Sequence, residues 1–383
     1  MSTLKVNTIR HTGASSDAIE LNSDGSCTVK ATNNLSNRNL IINGAMNVAQ
    51  RGTSSTTDGM STVDRFATSN NGLDEATTQS QHALTSSDTG PWAAGFRNSF
   101  HIQNGNQTGG AGADDRVSLY YKPEAQDLAN SGWDYTSASS YITLSFWVKS
   151  SVAQNFYFFF RTDDGSQYNY VMETGSLSAN TWTKVTKTIP GNSNLTINDD
   201  NGVGALLEFT LFRGTNKTGT RALNTWEAYN SSIRVPDMTS TWYTTNDATF
   251  EFTGVQLEVG DVATDFEHRS YGDELRRCQR YYQEIHGGYG GGASSSEIVY
   301  CTTYPVKMRA TPSVSQTAAM TFEEPADADR NQSSTSAGIR SSRCSDTGCV
   351  VTLGNYSDIA KDQLYFSSCN QNSGGKVTYS AEL

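Results

Sequence analysis

Neighbouring carboxyl groups are the first candidates for catalysis in this chain of 383 residues. The pairs considered for this role are Asp163-Asp164, Asp199-Asp200 and Glu323-Glu324. Hydrolysis of a glycosidic bond requires two carboxyl groups that flank the bond across a cleft. These pairs lie on apparent turns, and neighbouring residues of a strand point to opposite faces of a sheet. We therefore expect solvated turn residues and not a catalytic pair.

Other catalytic or metal-binding patterns are weak. The sequence has five histidines, no Gly-X-Ser-X-Gly motif and no visible base beside a serine that would indicate a hydrolase triad. None of the six cysteines belongs to a Cys-X-X-Cys pair or stands beside a histidine, so a zinc site is not expected. Cys344 and Cys349 could close a small hairpin disulfide, but synthesis in a reducing cytosol favours free thiols. We predict no catalytic residues and no enzyme activity.

Aromatic side chains among polar residues indicate a different chemistry, the binding of carbohydrate. Sugar rings have apolar faces and polar rims, so their sites combine exposed aromatic platforms with amide and carboxylate groups. The candidates stand in "DTGPWAAGF", "NTWEAYN" and "STWYTTND", and they are Trp92, Trp226, Tyr229, Trp242 and Tyr243. The alternative for each of them is that it caps the core of a β-sandwich. Trp147 and Trp182 lie within strand patterns and are interpreted as packing residues.

The composition limits the partners. The net charge is −11, and no basic segment has the density that nucleic-acid binding needs, so DNA and RNA are not expected as ligands. No apolar run reaches the length of a membrane-spanning helix, and "MSTLKVNTIRHTG" at the start contains no apolar core of a secretory signal. We expect a protein that is synthesised in a cytoplasm and does not insert into a membrane.

Residues 36–268 have the pattern of a β-sandwich. Short apolar runs alternate with polar turns, as in "YITLSFWVKS", where Ile142, Leu144 and Phe146 share one face. In "TFEFTGVQLEVG" the apolar positions change face at Gly254, which indicates a β-bulge. Because helices are missing between these short strands, the pattern favours antiparallel pairing. The prediction is mainly β, with an antiparallel β-sandwich as the largest domain.

Residues 1–35 have the pattern of a small β arm. The stretch "AIELNSDGSCTVK" places two alternating segments around an Asp24-Gly25 turn, which predicts a hairpin. A single hairpin is not stable in water by itself. The arm must therefore pack against another domain, against other copies of the chain, or against a different protein.

Residues 269–287 carry the strongest helix signal. Spacings of four, three, four and three residues give a heptad seam formed by Tyr271, Leu275, Cys278, Tyr282 and Ile285. A helix of this length is marginal in water alone. We predict a short axial helix whose copies pack around a common axis. The alternative is an ordinary helix that packs against its own sandwich.

Charged residues surround this seam, from Glu267 to Arg280. Arginine pairs well with carboxylates in two-bond geometry, so we interpret these charges as salt bridges between neighbouring chains. Glu274 and Arg277 are also spaced for a pair within the helix.

Residues 288–383 are predicted to form a flexible linker followed by a small C-terminal β-sandwich domain. The stretch "GGYGGGASSS" (287–296) is typical of a flexible break. From residue 297 the strand pattern resumes, in segments such as "EIVYCTTYPV", "CVVTLG" and "KVTYSAEL". This region is long enough for a small, separate β domain.

Five segments together resemble the tail-fibre proteins of tailed bacteriophages. They are "NLIINGAMNVAQRG" (39–52), "DRF" (64–66), "LSFWVKSS" (144–151), "FTGVQLEVGDVATDFEHRSYGDELRRCQRYYQ" (252–283) and "YPVKMRATPSV" (304–314). The resemblance is to podophage-type fibres, and it implies a homotrimer in the virion. It also implies attachment of residues 1–35 to tail adaptor or nozzle proteins and contact of the distal end with the host surface.

The resemblance further implies that residues 36–268 are similar to jelly-roll carbohydrate-binding modules. Such modules often hold a structural calcium ion through carboxylate and carbonyl oxygens, and Asn43 and Glu258 match that position. No other cofactor is expected.

We therefore predict a tail fibre that recognises a host surface glycan or outer-membrane receptor. The alternatives are a carbohydrate-binding or adhesion module outside a virion and a polysaccharide-degrading tailspike.

Overall fold

The computed structural model describes residues 6–10, 12–13, 19–21, 23, 27–29, 37–285, 288–318, 320–324, 327–333, 338–367 and 375–383. Within them the chain is mainly β, with several antiparallel sheets and three short α-helices, and the predicted fold class is confirmed. A three-stranded sheet forms the N-terminal arm from β1 (Thr8–Ile9), β2 (Ile19–Leu21) and β3 (Cys27–Val29). The predicted hairpin is β2–β3, and its turn at Asp24-Gly25 lies outside the described residues.

The first sandwich consists of two six-stranded antiparallel sheets. Its strands are β4 (Ser54–Ser55), β5 (Ala67–Asn71), β6 (Thr78–Ala83), β7 (Asn98–Gln103), β8 (Arg116–Tyr121), β9 (Tyr141–Ser150), β10 (Asn155–Thr162), β11 (Tyr168–Ser176), β12 (Thr183–Pro190), β13 (Ala205–Arg213), β14 (Trp226–Ala228) and β15 (Thr249–Val259). The β10 sheet has the order β14-β11-β10-β13-β8-β5, and the β9 sheet has the order β12-β9-β15-β7-β6-β4. Two helices, α1 (Ala125–Ala129) and α2 (Thr241–Thr244), and a 3-10 turn (Thr215–Lys217) lie in its connections.

The core of this sandwich follows from strand alternation. Ile142, Leu144 and Phe146 of β9 are fully buried between the sheets, and the Phe146 ring meets the Phe158 ring of the opposite sheet edge-on at 5.2 Å. Full burial of one such side chain stabilises the fold by about 1.5–3 kcal/mol. Phe159 of β10 is also fully buried, on the outer face of its sheet, because connecting segments cover that face.

The predicted β-bulge in β15 is present. The pairing of β15 with β9 shifts register between Thr253 and Gln256, and Gly254 has a φ of +66°. The bulge turns Val255 toward the segment 39–48, where the Val255 N–H donates to the carbonyl of Gly44 at 2.9 Å. The turn that contains Gly44 is thus fixed to the last strand of the sandwich.

The second sandwich begins at residue 282. Its strands are β16 (Tyr282–Ile285), β17 (Gly288–Ser294), β18 (Glu297–Thr303), β19 (Ser313–Gln316), β20 (Thr321–Glu324), β21 (Asp327–Ser333), β22 (Ile339–Cys344), β23 (Gly348–Leu353), β24 (Leu364–Ser367) and β25 (Val377–Ser380). A three-stranded sheet, β16-β25-β19, packs on a seven-stranded sheet, β21-β20-β24-β17-β18-β23-β22. Tyr300, Tyr365 and Tyr379 are fully buried in the core between them.

Two predictions about this region are wrong. The glycine-rich stretch is not a flexible linker, because residues 288–294 form β17, a central strand paired with both β18 and β24. Glycine there lets neighbours approach, since a Cβ at Gly292 would lie 2.1 Å from the carbonyl oxygen of Ala360. Cys344 and Cys349 are not free thiols; they face each other across the β22–β23 hairpin and form a disulfide.

The helix α3 (Tyr271–Gln279) joins the two sandwiches, and it ends too early for the predicted seam. Tyr282 and Ile285 lie on β16, which pairs with β25, so the five residues do not form one helical stripe. Of the three that remain on the helix, Tyr271 is exposed and Cys278 is buried against Ile42 and Val48 of the same chain. The alternative interpretation, a helix packed against its own sandwich, is the one observed.

The charged residues of this segment bind their own chain as well, which corrects their assignment to salt bridges between chains. Arg269 donates to the carbonyl oxygens of Asn39 and Ile41 at 2.5 and 3.2 Å. Arg280 binds both carboxylate oxygens of Glu124 at 2.7 and 2.8 Å. These partners are distant in sequence but lie next to α3 in the fold, where their carbonyl and carboxylate oxygens need donors.

Glu274 also has a partner other than the one predicted. It accepts the backbone N–H of Asn43 at 2.5 Å and lies 3.6 Å from Arg269. Arg277, the predicted partner within the helix, donates to the side chain of Asn37 at 2.7 Å. The helix therefore holds residues 37–48 in place by hydrogen bonds and by packing.

Candidate functional site

Two of the predicted aromatic platforms are core residues. Trp242 and Tyr243 lie on α2, which closes one end of the first sandwich, and they are 0% and 1% exposed. The Trp242 indole N–H donates to the carbonyl of Thr249 at 3.0 Å, and the Tyr243 hydroxyl donates to Asp115 at 2.8 Å. The prediction that they bind carbohydrate is wrong, because a four-residue helix directs both rings into the core.

Trp226 and Tyr229 lie at the β14 edge of the β10 sheet and remain half-buried. The Trp226 indole N–H donates to the carbonyl of Pro190 at 2.7 Å, and its ring leans on Tyr170 at 5.2 Å. Tyr229 lies under the guanidinium of Arg161 at 4.7 Å. Both rings are thus engaged with their own chain, although part of each faces solvent.

Trp92 belongs to a different group of aromatic residues, on the outer face of the β9 sheet. It is half-buried beside Trp147 and Trp182, and the Arg97 guanidinium stacks on its ring at 3.8 Å. The five predicted candidates therefore occupy three separate places, and the structure does not bring them together.

An open cleft of about 470 Å³ lies next to this group. We call it the Trp147 cleft, and the side chains that line it include Phe96, Ser145, Trp147, Lys184, Asp265, Phe266 and His268. Strands β9 and β12 form its floor, and residues 93–96 and 264–268 form its walls. Aromatic rings and polar groups meet here in one concave surface.

The wall of the cleft is a cluster of three rings. Phe96 and Phe266 meet edge-on at 4.8 Å, and His268 packs on both of them at 5.1 and 5.0 Å. The Nε2 atom of His268 lies 2.9 Å from the carbonyl oxygen of Ala94, which joins the two loops. These contacts hold the rings in fixed positions while His268 itself stays exposed.

Two glycines allow the rings to take these positions. Gly254 lies at the β15 bulge, where a Cβ would stand 2.5 Å from the Phe96 ring. Gly90 has a φ of +97°, and a Cβ there would stand 2.6 Å from the Trp147 ring. Both have positive φ, a conformation that glycine adopts without strain. The bulge thus places an aromatic ring directly over the sheet surface.

A fixed carboxylate supports the same face. Asp88 accepts the Trp182 indole N–H at 2.9 Å and pairs with the Lys149 ammonium at 3.1 Å. Partial burial raises the pKa of Asp88, but the hydrogen bonds from Trp182, from the backbone of Thr85 and from Lys149 outweigh it and hold the pKa at about 2. The carboxylate is ionised at any physiological pH, so the tryptophans it supports are held by charge-assisted bonds.

The sequence pattern did not predict the residues that line the cleft. It assigned Trp147 only a packing role, although the alternation of β9 puts Trp147 on the face opposite to Phe146 and hence outside the core. The alternation of β9 could therefore have predicted that Trp147 lies on the outer face of the sheet. Phe266 and His268 stand in a loop without periodicity, so only the tertiary structure reveals their part.

The predicted calcium ligands do not fit a cation site. The amide oxygen of Asn43 accepts the backbone N–H of Val48 at 2.9 Å. The carboxylate of Glu258 accepts the backbone N–H and the hydroxyl of Thr264 at 2.8 and 2.6 Å, and the amide of Gln256 at 2.9 Å. Calcium needs six or more oxygens that converge without such donors. Among the described residues, moreover, no three His, Cys, Asp or Glu side chains are grouped for a metal.

The neighbouring aspartates support turns, whereas Glu323 and Glu324 lie on β20 and are not turn residues as predicted. Asp163 pairs with Arg161 at 2.7 Å, and Asp164 accepts the backbone and side chain of Asn198 at 2.8 Å. Asp199 accepts the Asn130 amide at 2.7 Å. Partial burial and the neighbouring acids raise the pKa of Asp164 above its usual range. Asp163, Asp164 and Asp199 each have a structural partner.

The described part of the chain has no helix that is both long and apolar enough to cross a membrane.

No protein-family model matches the chain, and neither does any curated protein. Solved structures with a similar arrangement include the tailspike protein 4 enzymatically active domain of bacteriophage CBA120, at 10% identity and a TM-score of 0.29 over 58% of this chain. The match covers only 21% of that tailspike chain. A putative sugar binding protein from Bacteroides thetaiotaomicron has 12% identity and a TM-score of 0.30, over 58% of this chain and 99% of that one.

The N-terminal cellulose-binding domain of a Cellulomonas fimi β-1,4-glucanase is also similar, at 10% identity and a TM-score of 0.28, over 57% of this chain and 100% of that one. Similarity at this level does not assign a ligand or an activity to this chain.

Proposed function

We propose that this chain is a cell-surface recognition protein of the bacteriophage tail-fibre type, which binds a host glycan in the Trp147 cleft. The observation that carries the proposal is the meeting of Trp147, Phe96 and Phe266 with the exposed polar groups of Lys184, Asp265 and His268. Aromatic faces stack on the apolar faces of sugar rings, and polar groups at the rim bind their hydroxyls.

The cleft has the dimensions and rigidity that such binding requires. Its volume of about 470 Å³ lies within the range of roughly 300–1,000 Å³ that is usual for small-ligand sites. Its rings are locked by the Phe96–Phe266–His268 contacts before a ligand arrives, so little side-chain entropy is lost on binding.

The role in a virion rests on the sequence resemblance and on the arm. The small three-stranded arm buries little by itself, which suits attachment of residues 1–35 to tail adaptor or nozzle proteins. A homotrimer remains part of this proposal. We further propose that the chain binds its glycan without cleaving it, because the carboxylate pairs near the first sandwich act as turn supports.

The test is binding to an array of bacterial envelope polysaccharides, followed by calorimetry with the best oligosaccharide. We expect Trp147→Ala to weaken binding by about 1–3 kcal/mol, the cost usually seen for a lost aromatic stacking contact. Tyr229→Ala is the matched control, since Tyr229 is a half-buried tyrosine on the opposite sheet. Equal binding by Trp147→Ala, or loss of binding only in Tyr229→Ala, would contradict the proposed site.

An assay for released reducing sugar on the same polysaccharides separates binding from cleavage. Release by the purified chain would favour a polysaccharide-degrading tailspike over the binding protein proposed.

A further inference from the structure

The second sandwich exposes one apolar face. Tyr289, Leu364 and Phe366 lie on the outer face of the seven-stranded sheet, and they are 59%, 49% and 44% exposed. Val299 and Val350 continue the same face and are half-buried. The three-stranded sheet covers only the opposite face, where Tyr300 and Tyr365 form the core. An exposed apolar patch of this kind on a folded domain indicates an interaction surface.

A single row of side chains crosses this face in register. It passes through six neighbouring strands, from β20 to β22, as Glu323, Phe366, Tyr289, Cys301, Val350 and Arg343. The two end residues are exposed and of opposite charge, and the four between them are uncharged. Neither end residue forms an ion pair with another described residue. We call this set the acid–base row.

We propose that this face binds a second copy of the chain, with the acidic edge of one copy against the basic edge of the next. Repeating the row around an axis places Glu323 of one copy beside Arg343 of the next, so the row is complementary to its own copy. Phe366 and Tyr289 lie between these two charged ends, on the face that each copy turns toward the axis. The inference deepens the assembly part of the proposed function and is independent of the Trp147 cleft.

The shape of the face agrees with this occupant. In the next row Gly291 lies between Leu364 and Val299 and adds no side chain to the face. Tyr289, Cys301, Val350 and Arg343 of the acid–base row line an open recess of about 740 Å³. A neighbouring acidic edge can enter that recess and bring its carboxylate to the guanidinium.

The test begins with molar mass, measured by light scattering and sedimentation over protein concentrations from about 1 to about 100 µM. We expect a multiple of the chain mass of 41.6 kDa. The double variant Tyr289→Asp/Phe366→Asp places two charges in the covered face and should raise the dissociation constant by about a hundredfold or more. Tyr271→Asp, another exposed tyrosine outside this face, is the matched control and should leave the mass unchanged.

Charge exchange then identifies the occupant as the same chain. Arg343→Glu or Glu323→Arg alone should weaken the assembly by about tenfold, and the two together should restore it. The two positions stand five strand spacings apart, about 24 Å, so the rescue cannot arise within one copy. Circular dichroism and thermal unfolding confirm that each variant is folded.

The reactivity of a native cysteine gives an independent measure of whether this face is covered. Cys301 is a free, half-buried thiol in the middle of the row, so its alkylation should slow as protein concentration rises. Burial raises the pKa of the Cys278 thiol well above its usual range, and it should stay unreactive throughout.

A wild-type chain that remains at 41.6 kDa at every concentration would overturn the proposal. So would an assembly that the double variant leaves intact. If the variant instead loses glycan binding while the wild type is monomeric, the face belongs to a glycan and not to a second copy.

Discussion

The two sandwiches of this chain differ in how far their outer faces are covered. In the first, connecting segments cover both sheets, and no large hydrophobic side chain of residues 37–259 is exposed. In the second, one sheet face stays open and carries Tyr289, Leu364 and Phe366. The first domain is thus complete as a single copy and offers a cleft for a small ligand. The second has an apolar surface suited to a large partner.

The two domains share a joint, which is built around Arg65. Its side chain is 0% exposed and forms an ion pair with Glu382 at the end of the chain. Its guanidinium lies 3.5 Å from the centre of the Tyr281 ring and donates to the carbonyl of Lys122 at 2.6 Å. We therefore expect the stability of each domain to depend on the other.

The largest effect is expected from Arg65→Leu. The change removes the buried donor of the Lys122 carbonyl and leaves the Glu382 carboxylate with Arg51 as its remaining partner, which should cost about 3–5 kcal/mol. All six tryptophans belong to the first sandwich, so their fluorescence follows that domain, while far-ultraviolet circular dichroism follows both. We expect urea unfolding to become earlier and the two signals to separate.

Arg276→Leu is the control, because Arg276 is exposed on α3 and should change stability by less than about 0.5 kcal/mol. If Arg65→Leu matched this control, the joint would not couple the domains.

The second effect is a pH dependence that belongs to the first sandwich. Burial raises the pKa of Asp64 to about 6, although Arg51 and hydrogen bonds from Gln50 act in the opposite direction. The folded chain keeps the proton where the unfolded chain has released it. The stabilisation is therefore complete below about pH 4 and is lost as the pH rises through about 6, an effect of about 3 kcal/mol.

Asp64→Asn removes the titrating group. The difference in unfolding free energy between wild type and Asp64→Asn, measured by tryptophan fluorescence from about pH 4 to about pH 7, should fall along this range. A constant difference would show that Asp64 is ionised in the folded state at both ends.

The third effect concerns the bulge that shapes the cleft. Gly254→Ala adds a Cβ 2.5 Å from the Phe96 ring at a φ of +66°, so we expect a loss of about 2 kcal/mol together with weaker glycan binding. Gly272→Ala is a matched control on α3, where a Cβ meets nothing within 4 Å. It should stabilise the chain by up to about 1 kcal/mol. Similar results for both variants would mean that the bulge tolerates a side chain.

The smallest effect is expected from the disulfide of the second sandwich. Cys344 and Cys349 are only five residues apart, and closure of so short a loop is worth about 2 kcal/mol at most in the chain-entropy description. Cys344→Ser/Cys349→Ser should lower the stability of the second sandwich and leave the tryptophan-detected transition nearly unchanged. An equal shift of the tryptophan signal would show that the domains unfold together.

Local patterns predicted much of the architecture. The alternation of β9 and the change of face at Gly254 were sufficient for the sandwich and its bulge, because side-chain direction in a strand depends on neighbouring residues alone. The helix was less predictable. Its heptad spacing continues through Tyr282 and Ile285, which lie on β16. These two residues pair with a strand almost 100 residues later, and nothing in the neighbouring sequence indicates that pairing.

The sequence by itself thus determined the strands, the bulge, the N-terminal hairpin and the absence of a local catalytic motif. Only the tertiary structure decided which aromatic rings are buried, as for Trp242, and which line a cleft, as for Trp147. It also decided that the arginines near α3 bind their own chain. The physical reason is that burial and ion pairing depend on which distant segments cover a residue, and no local spacing records them.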